Sequence, residues 1–469
     1  MTNPSQNLYS WRAASDLGVP RRALAAVAGR VTSTQRYLYA IGGDDGAGTT
    51  WSDIEAAQVD PYGVLGAWSP LPTPLPGPRA FAGSALVGRY LYLVGGTDGT
   101  SAQSSTWRAQ ILDPLEAPEF TSQLTFSLGT GVELPVGTYV YRVSALFDAA
   151  DDENPGGESL ASDPFVVRVP DVPEHIALSL TWLPVPGASG YRLYRSSTGS
   201  GNEEWLLETA STTATDFGFA TDATIVPLPP GSVGQWKPLG AMNRAREGAC
   251  VAVAPDPSVP NRHWLMAAGG RDEGGIVQSD IELLSIDVVD EHDHDAGSWF
   301  TSAESLRSPR WQCGAYVANV TLHSKVLPSD TWVYFGTGLG QTGNIDGLVD
   351  VGLVGSLDFD AMYAVSGMRN RAGYVVASAN NFLYSLGGGS ASPDGAGESA
   401  ELCGVGDPGC NNGAVPNPPE LGNWNSLGGG TLLVERYLAG SAQESSVIFA
   451  VGGETSADPA STSVEYTNY

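Results

Sequence analysis

One phrase recurs along this chain and limits its fold more than any other feature. It first reads Tyr37-Leu38-Tyr39-Ala40-Ile41-Gly42-Gly43 and returns at residues 90–96, 264–270, 332–338, 382–388 and 447–453. Each copy is an apolar run of strand length, rich in aromatic and β-branched residues and closed by glycine. Such a run is too short for a helix. A near-continuous apolar strand, without alternation, is one buried on both faces. The closing glycines let the backbone turn and approach its neighbours.

Around each copy the same order holds. An arginine-marked turn and a small-residue strand come before it. A Gly/Asp-rich loop, a third strand and a fourth strand, often with Trp, come after. The first unit runs through Arg21-Arg22, 23–31, 37–43, 44–50, 51–59 and Trp68. Later units start at Arg79, Arg246, Arg310, Arg371 and Arg436. Phe359 stands where the fourth unit should carry Trp, and Gly336-Thr337-Gly338 breaks its glycine pair. A four-strand unit repeating every ~50 residues is the pattern of a propeller blade.

This grammar resembles the kelch repeat family over about three quarters of the chain. The resemblance implies a six-bladed β-propeller. The sixth unit lacks a fourth strand of its own, while residues 8–11, Leu-Tyr-Ser-Trp, form an orphan strand. The expectation is that this strand pairs with residues 462–466 and latches the ring.

Between Leu112 and Trp236 the repeat stops. Proline-rich seams at 113–118 and 227–230 flank alternating strands at 137–143, 165–169, 178–182 and 190–195. These strands, with Val-Pro-Gly-Ala at 185–188 and Tyr-Arg-Leu-Tyr-Arg at 191–195, resemble a fibronectin type III sandwich in permuted order. The fold class is thus all-β: a six-bladed kelch-like β-propeller with an inserted, permuted fibronectin type III-like β-sandwich. The expected divisions are 1–115 for the first part of the propeller, with its latch strand, 116–230 for the insert and 231–469 for the rest. The insert enters between the third and fourth strands of the second unit.

The formal net charge is -28, spread along the chain. Such a surface repels nucleic acid and anionic membrane. No stretch reaches the ~20 apolar residues of a membrane span, and the first residues do not read as a secretory signal. Of the four cysteines, Cys403 and Cys410 bracket a short loop and are the disulfide candidate; Cys250 and Cys313 read as buried thiols.

The candidate ligand site is the face that collects the loops after each second strand. It carries Arg21 or Arg22, Arg79, Arg246, Arg310, Arg371 and Arg436, with Asp44, Asp98 and Asp272. Arginine forks suit carboxylates and planar polar groups. In the kelch resemblance this face implies docking of peptides or sugars. The same arginines can instead pair with the acidic loops and fasten unit to unit. His292, His294 and Asp295 lie in one acidic run that could hold a divalent cation, though a solvated turn explains it as well. The five histidines show no zinc or triad spacing. The expected function is therefore non-enzymatic, without a cofactor: a protein or glycan partner is docked, no nucleic acid is bound, no membrane is inserted into, and the chain belongs to a larger surface or virion assembly. The alternatives are a secreted glycan-active enzyme, kelch oxidase- or sialidase-like, and a cytoplasmic peptide-binding scaffold.

Overall fold

A computed structural model describes residues 8–128, 134–171, 176–290, 293–319, 330–390, 392–403, 420–427 and 430–469. Its strands form many small antiparallel sheets, and the described helical structure is one 3-10 turn, Pro114–Glu116. No helix among the described residues is long and apolar enough to cross a membrane. The chain divides into two compact units, residues 1–108 with 237–469, and residues 109–236. These divisions lie outside the proline seams at which 116–230 was expected to begin and end.

Among the described residues the first unit holds six sheets, each around one copy of the repeated phrase and four of them built from consecutive strands. The first comprises Ala25–Arg30, Arg36–Ile41, Ile54–Val59 and Leu65–Pro70 in that order. In the second, Thr106–Gln110 pairs with Lys237–Pro238, so residues 111–236 intervene between its third and fourth strands. The second strands are the most deeply buried: Tyr90–Val94, Thr331–Phe335 and Val447–Val451 are buried at every position. In the last sheet, Val464–Asn468 pairs with Arg12–Ala13 from the other end of the chain. Tyr9, Ala14 and Leu17 add backbone bonds to Asn468, Val464 and Thr462. The pairing thus extends further along the chain than residues 8–11. Trp11 is buried, and its indole N–H reaches the Gly430 carbonyl at 3.3 Å.

The glycine pairs bind each sheet to the next. Gly43 N–H donates to Arg79 O, Gly96 to Arg246, Gly270 to Arg310, Gly388 to Arg436 and Gly453 to Arg21, all at 2.7–2.9 Å. Where Thr337 replaces a glycine, its hydroxyl donates to Arg371 O at 2.8 Å instead. The series returns to its start. A Cβ on Gly42 would lie 2.2 Å from Arg79 O, so a side chain there has no room.

A second closed series runs nearer the first strands. Phe81 N–H donates to Ala23 O, Gly248 to Phe81, Gln312 to Gly248, Gly373 to Gln312, Leu438 to Gly373 and Ala23 to Leu438. All six residues have φ between 50° and 61°, the left-handed region. Two are glycine. The other four accept a backbone conformation that disfavours side chains. Within this ring the first strands line a cavity of about 350 Å³ with small residues, among them Ala25, Ser84 and Ala315.

Cys250 and Cys313 form a disulfide with Cα atoms 5.1 Å apart. This corrects their assignment as separate thiols. Each follows the ring residue of its unit, and the two ring residues, Gly248 and Gln312, are hydrogen-bonded neighbours. Cys250 stands two residues after Gly248 and Cys313 one after Gln312, so nearby positions of consecutive repeats meet. The Cys403 to Cys410 pairing lies outside the described residues.

The second unit holds two sheets. One orders Phe165–Val169, Gly137–Phe147, Ala188–Ser196 and Glu204–Thr209; the other orders Thr213–Asp216, Ile176–Trp182 and Phe120–Leu128. Their inward residues, Tyr141, Leu178, Trp182 and Leu193 among them, share one core. Buried Asp216 accepts from Tyr141 Oη at 2.8 Å, from the Arg195 guanidinium at 2.8 and 2.9 Å and from Gly218 N at 2.7 Å. A buried carboxylate keeps its charge at tolerable cost only with such partners.

Candidate functional site

The six repeat arginines do not face a ligand. Arg21, Arg79, Arg246, Arg310, Arg371 and Arg436 are each no more than 5% exposed. In five of the six units the guanidinium meets a buried carboxylate at the second residue of, or just inside, the third strand. The pairs are Arg21–Glu55, Arg246–Glu282, Arg310–Asp350, Arg371–Glu398 and Arg436–Glu465. The same guanidinium donates to the carbonyl of the first glycine of its own phrase: Gly42, Gly269, Gly336, Gly387 or Gly452. The carboxylate in turn accepts backbone N–H groups from the turn before the arginine, as Glu282 does from Asn243 and Arg244. The arginines are therefore brackets inside each unit. Burial and paired charge correct their assignment as ligand contacts.

The second unit departs from this rule, and its sequence explains why. Trp107 occupies the carboxylate position, and the Arg79 guanidinium lies over its ring at 4.1 Å. The turn before Arg79 is Pro74-Leu75-Pro76-Gly77-Pro78. Prolines carry no N–H for a carboxylate to accept. A cation–π contact replaces the ion pair where the other half of the bracket is missing.

The three aspartates shape loops. Asp98 accepts from the N–H groups of Thr100 and Ser101 and from the Thr100 hydroxyl, which hold its carboxyl down at about 2. Asp272 accepts from Gly274, Ile276 and the Gln278 amide. Asp44 accepts from Gly46 N–H and pairs with Arg22 at 2.8 Å.

His294 is a core residue, which corrects its assignment as a cation ligand. It is 2% exposed, its Nδ1 lies 2.9 Å from Tyr92 Oη, and its ring is 4.4 Å from that of Tyr90. Burial first, then the charge of Arg108, lowers its pKa to about 4. Asp295 beside it points to solvent on the strand His294–Ala296. His292 lies outside the described residues. Among the described residues, no three His, Cys, Asp or Glu side chains gather as a metal site.

A different set of side chains forms a cleft. The residue after each buried arginine bridges to the residue after the glycine phrase: Arg22 to Asp44, Ala80 to Thr97, Glu247 to Arg271, Trp311 to Leu339, Ala372 to Gly389 and Tyr437 to Glu454. In the first three units these bridges and the loops beyond them enclose about 400 Å³. Two arginines line it. Arg22 is held by Asp44 at 2.8 Å and Glu454 at 2.5 Å, and these pairs raise its pKa although burial opposes them. Arg271 donates from Nε to Glu247 at 2.7 Å and lies 3.9 Å over the Trp311 ring. Thr50, Thr97, Thr100 and Ser101 add hydroxyls, Asp272 and Glu273 add carboxylates, and Phe81 adds an aromatic ring.

Of the nine residues expected to bind a ligand, Asp44 and Asp272 line this cleft. Arg22, the alternative to Arg21, lines it too, whereas Arg271, Glu247 and Phe81 went unrecognised. The signal for Arg22 was its place one residue past a buried arginine, since neighbours along an extended segment point opposite ways. Arg271 sits directly after a glycine pair, where the other units carry Asp, Thr, Leu, Gly and Glu.

No family model matches the chain, and no curated protein matches it. A solved structure, that of YjhT, is similar at 12% identity, over 96% of this chain and 95% of that one, with a TM-score of 0.45. At that level of likeness it carries no argument.

Proposed function

We propose that this chain is a non-enzymatic saccharide-docking protein. Its first unit is a kelch-like six-bladed β-propeller, and residues 109–236 are an inserted fibronectin type III-like sandwich. For the propeller, support comes from two hydrogen-bond series that each visit six sheets and return to their start. The pairing of the two chain ends in one sheet adds to it.

The observation that carries the function is the state of the two cleft arginines. Both are already matched to carboxylates, Arg22 to Asp44 and Glu454, Arg271 to Glu247. An anionic ligand would have to displace those partners. A neutral hydroxyl needs no such exchange, because it donates to a carboxylate and accepts from a guanidinium at once. Rows of preset charge pairs beside Thr50, Thr97, Thr100 and Ser101 suit a polyhydroxylated ring. Asp44, Glu247 and Asp272 already accept from arginine or loop N–H groups, which favours binding over acid–base work.

The Cys250–Cys313 bridge favours a surface or virion setting, since such bonds persist where thiols are not kept reduced. The test is an array of neutral and acidic oligosaccharides probed with the purified chain. Retention on neutral saccharides, without change in their chain length after incubation, is the expected result. No retention on any saccharide would overturn the proposal, and cleavage would overturn its non-enzymatic part.

A further inference from the structure

The ring of left-handed residues contains an unexplained choice. Its backbone geometry is met by glycine at Gly248 and Gly373, with φ of 61° and 58°. At the equivalent point of the second unit stands Phe81, with φ of 53°. Glycine adopts this conformation freely, and a bulky side chain does not. The hydrogen bonds of the ring use only backbone atoms, so they do not call for an aromatic ring. Four of the six ring positions keep a side chain in this region, and Phe81 is the aromatic one among them, so its bulk at a strained position points to use of the side chain.

The surroundings show what that side chain does. Phe81 lines both the 400 Å³ cleft and the 350 Å³ cavity inside the first strands, so it stands between them. Its ring is partly exposed. Trp311 packs beside it, with centroids 6.0 Å apart, and the same indole carries Arg271 at 3.9 Å. Trp311 reaches this place because Gly248 has no side chain: a Cβ there would lie 3.1 Å from Trp311 Cε3. Ala23 and Leu438 pack on Phe81 from within the ring. One aromatic face is thus propped in a fixed position, beside two arginine–carboxylate pairs.

We infer that Phe81 is the stacking floor of the cleft and sets its specificity. An aromatic face is electron-rich and attracts polarised C–H groups. The preferred ligand is then a pyranose ring with an unbroken C–H face, laid on Phe81 with its hydroxyls turned to Arg22, Arg271 and the loop hydroxyls. Furanoses, open-chain polyols and uronic acids are excluded, the last because both arginines are matched. Trp311 is a positioning residue, since it orients Phe81 and Arg271 together. This inference rests on the saccharide assignment of the cleft.

The test compares wild type, Phe81→Gly, Phe81→Leu and Phe81→Tyr by calorimetry with a neutral pyranose oligosaccharide retained on the array, with melting curves for each. Phe81→Gly relieves the strained backbone, so its midpoint should stay within a few degrees of wild type. Affinity is expected to fall at least about 10-fold in Phe81→Gly and Phe81→Leu and to stay within about 3-fold in Phe81→Tyr. Phe81→Leu still fills the mouth of the inner cavity, so a ring acting only as a plug would leave its binding unchanged; that outcome overturns the inference while the cleft assignment stands. Wild type that binds furanosides or polyols as well as pyranosides would also overturn it. Wild type that binds no saccharide fails the cleft assignment itself.

Discussion

The guanidinium of Arg246 and the carboxylate of Glu282 meet at 2.5 Å with both side chains sealed from solvent. Each charge is tolerable only because the other is there. Arg246→Ala strands Glu282, which then has only the turn N–H groups of Asn243 and Arg244. The expected loss is about 3–5 kcal/mol in chemical denaturation. Arg79→Ala strands no partner carboxylate and forfeits a cation–π contact with Trp107, so its loss should be about 1–2 kcal/mol. Equal losses at the two positions would contradict the bracket assignment.

Sheet pairing between the chain ends gives a second expectation. Trp11 packs with Leu427, Leu432 and Ile448 in one core cluster. Trp11→Ala is expected to cost about 3–5 kcal/mol. Removing residues 1–17 also strips the backbone partners of Asn468, Val464 and Thr462 and should lower the melting midpoint further. The check is circular dichroism melting of the three proteins side by side; a truncated chain that melts with wild type would refute the fastening role.

The disulfide joins the start of one first strand, at Cys250, to the segment just before the next, Ala315–Asn319, across a sequence separation of 63. By the chain-entropy account, closing a loop of that size stabilises by about 4 kcal/mol. Cys250→Ser with Cys313→Ser should lower the denaturant midpoint, and reducing agent should lower that of wild type but not of the double variant.

Much of the fold could be read from sequence because the signal repeats. Residues 37–41 and 90–94 are buried strands, and their apolar runs say so directly. The insertion after Thr106–Gln110 showed because the repeat broke off there. The arginines were misplaced for a specific reason: side-chain direction depends on what the third strand offers. The acids at 55, 282, 350, 398 and 465 stand at matching points of their units, yet they lie 27–40 residues from their arginines and only the folded sheet brings them together. Cys250 and Cys313 stand at similar points of consecutive repeats; that they touch follows from the ring, which local patterning does not encode. The cleft was harder still, since Arg22, Phe81 and Arg271 come from three units and obey no spacing.

His294 supplies a pH dependence. Its buried, neutral form holds the folded-state pKa at about 4, against about 6.5 when unfolded. Between those values the unfolded chain binds the extra proton, so stability rises with pH. The contribution is complete above about pH 6.5 and is lost as pH falls through about 4; its size is about 2 kcal/mol, allowing for partial solvent screening. His294→Asn, which can still accept from Tyr92, should flatten the stability–pH slope between pH 6.5 and 4.5 relative to wild type in urea titrations.

The most direct measurement sets a cleft arginine against a bracket arginine. Retention on an immobilised neutral oligosaccharide and the melting midpoint are recorded for Arg271→Ala and Arg371→Ala. Arg271 is partly exposed and pairs at the rim, whereas Arg371 is buried against Glu398. Arg271→Ala is expected to lose retention with a smaller drop in midpoint than Arg371→Ala, because the Arg271 side chain is 37% exposed and that of Arg371 3%. Arg371→Ala is expected to melt far lower. Full retention by Arg271→Ala would contradict the account.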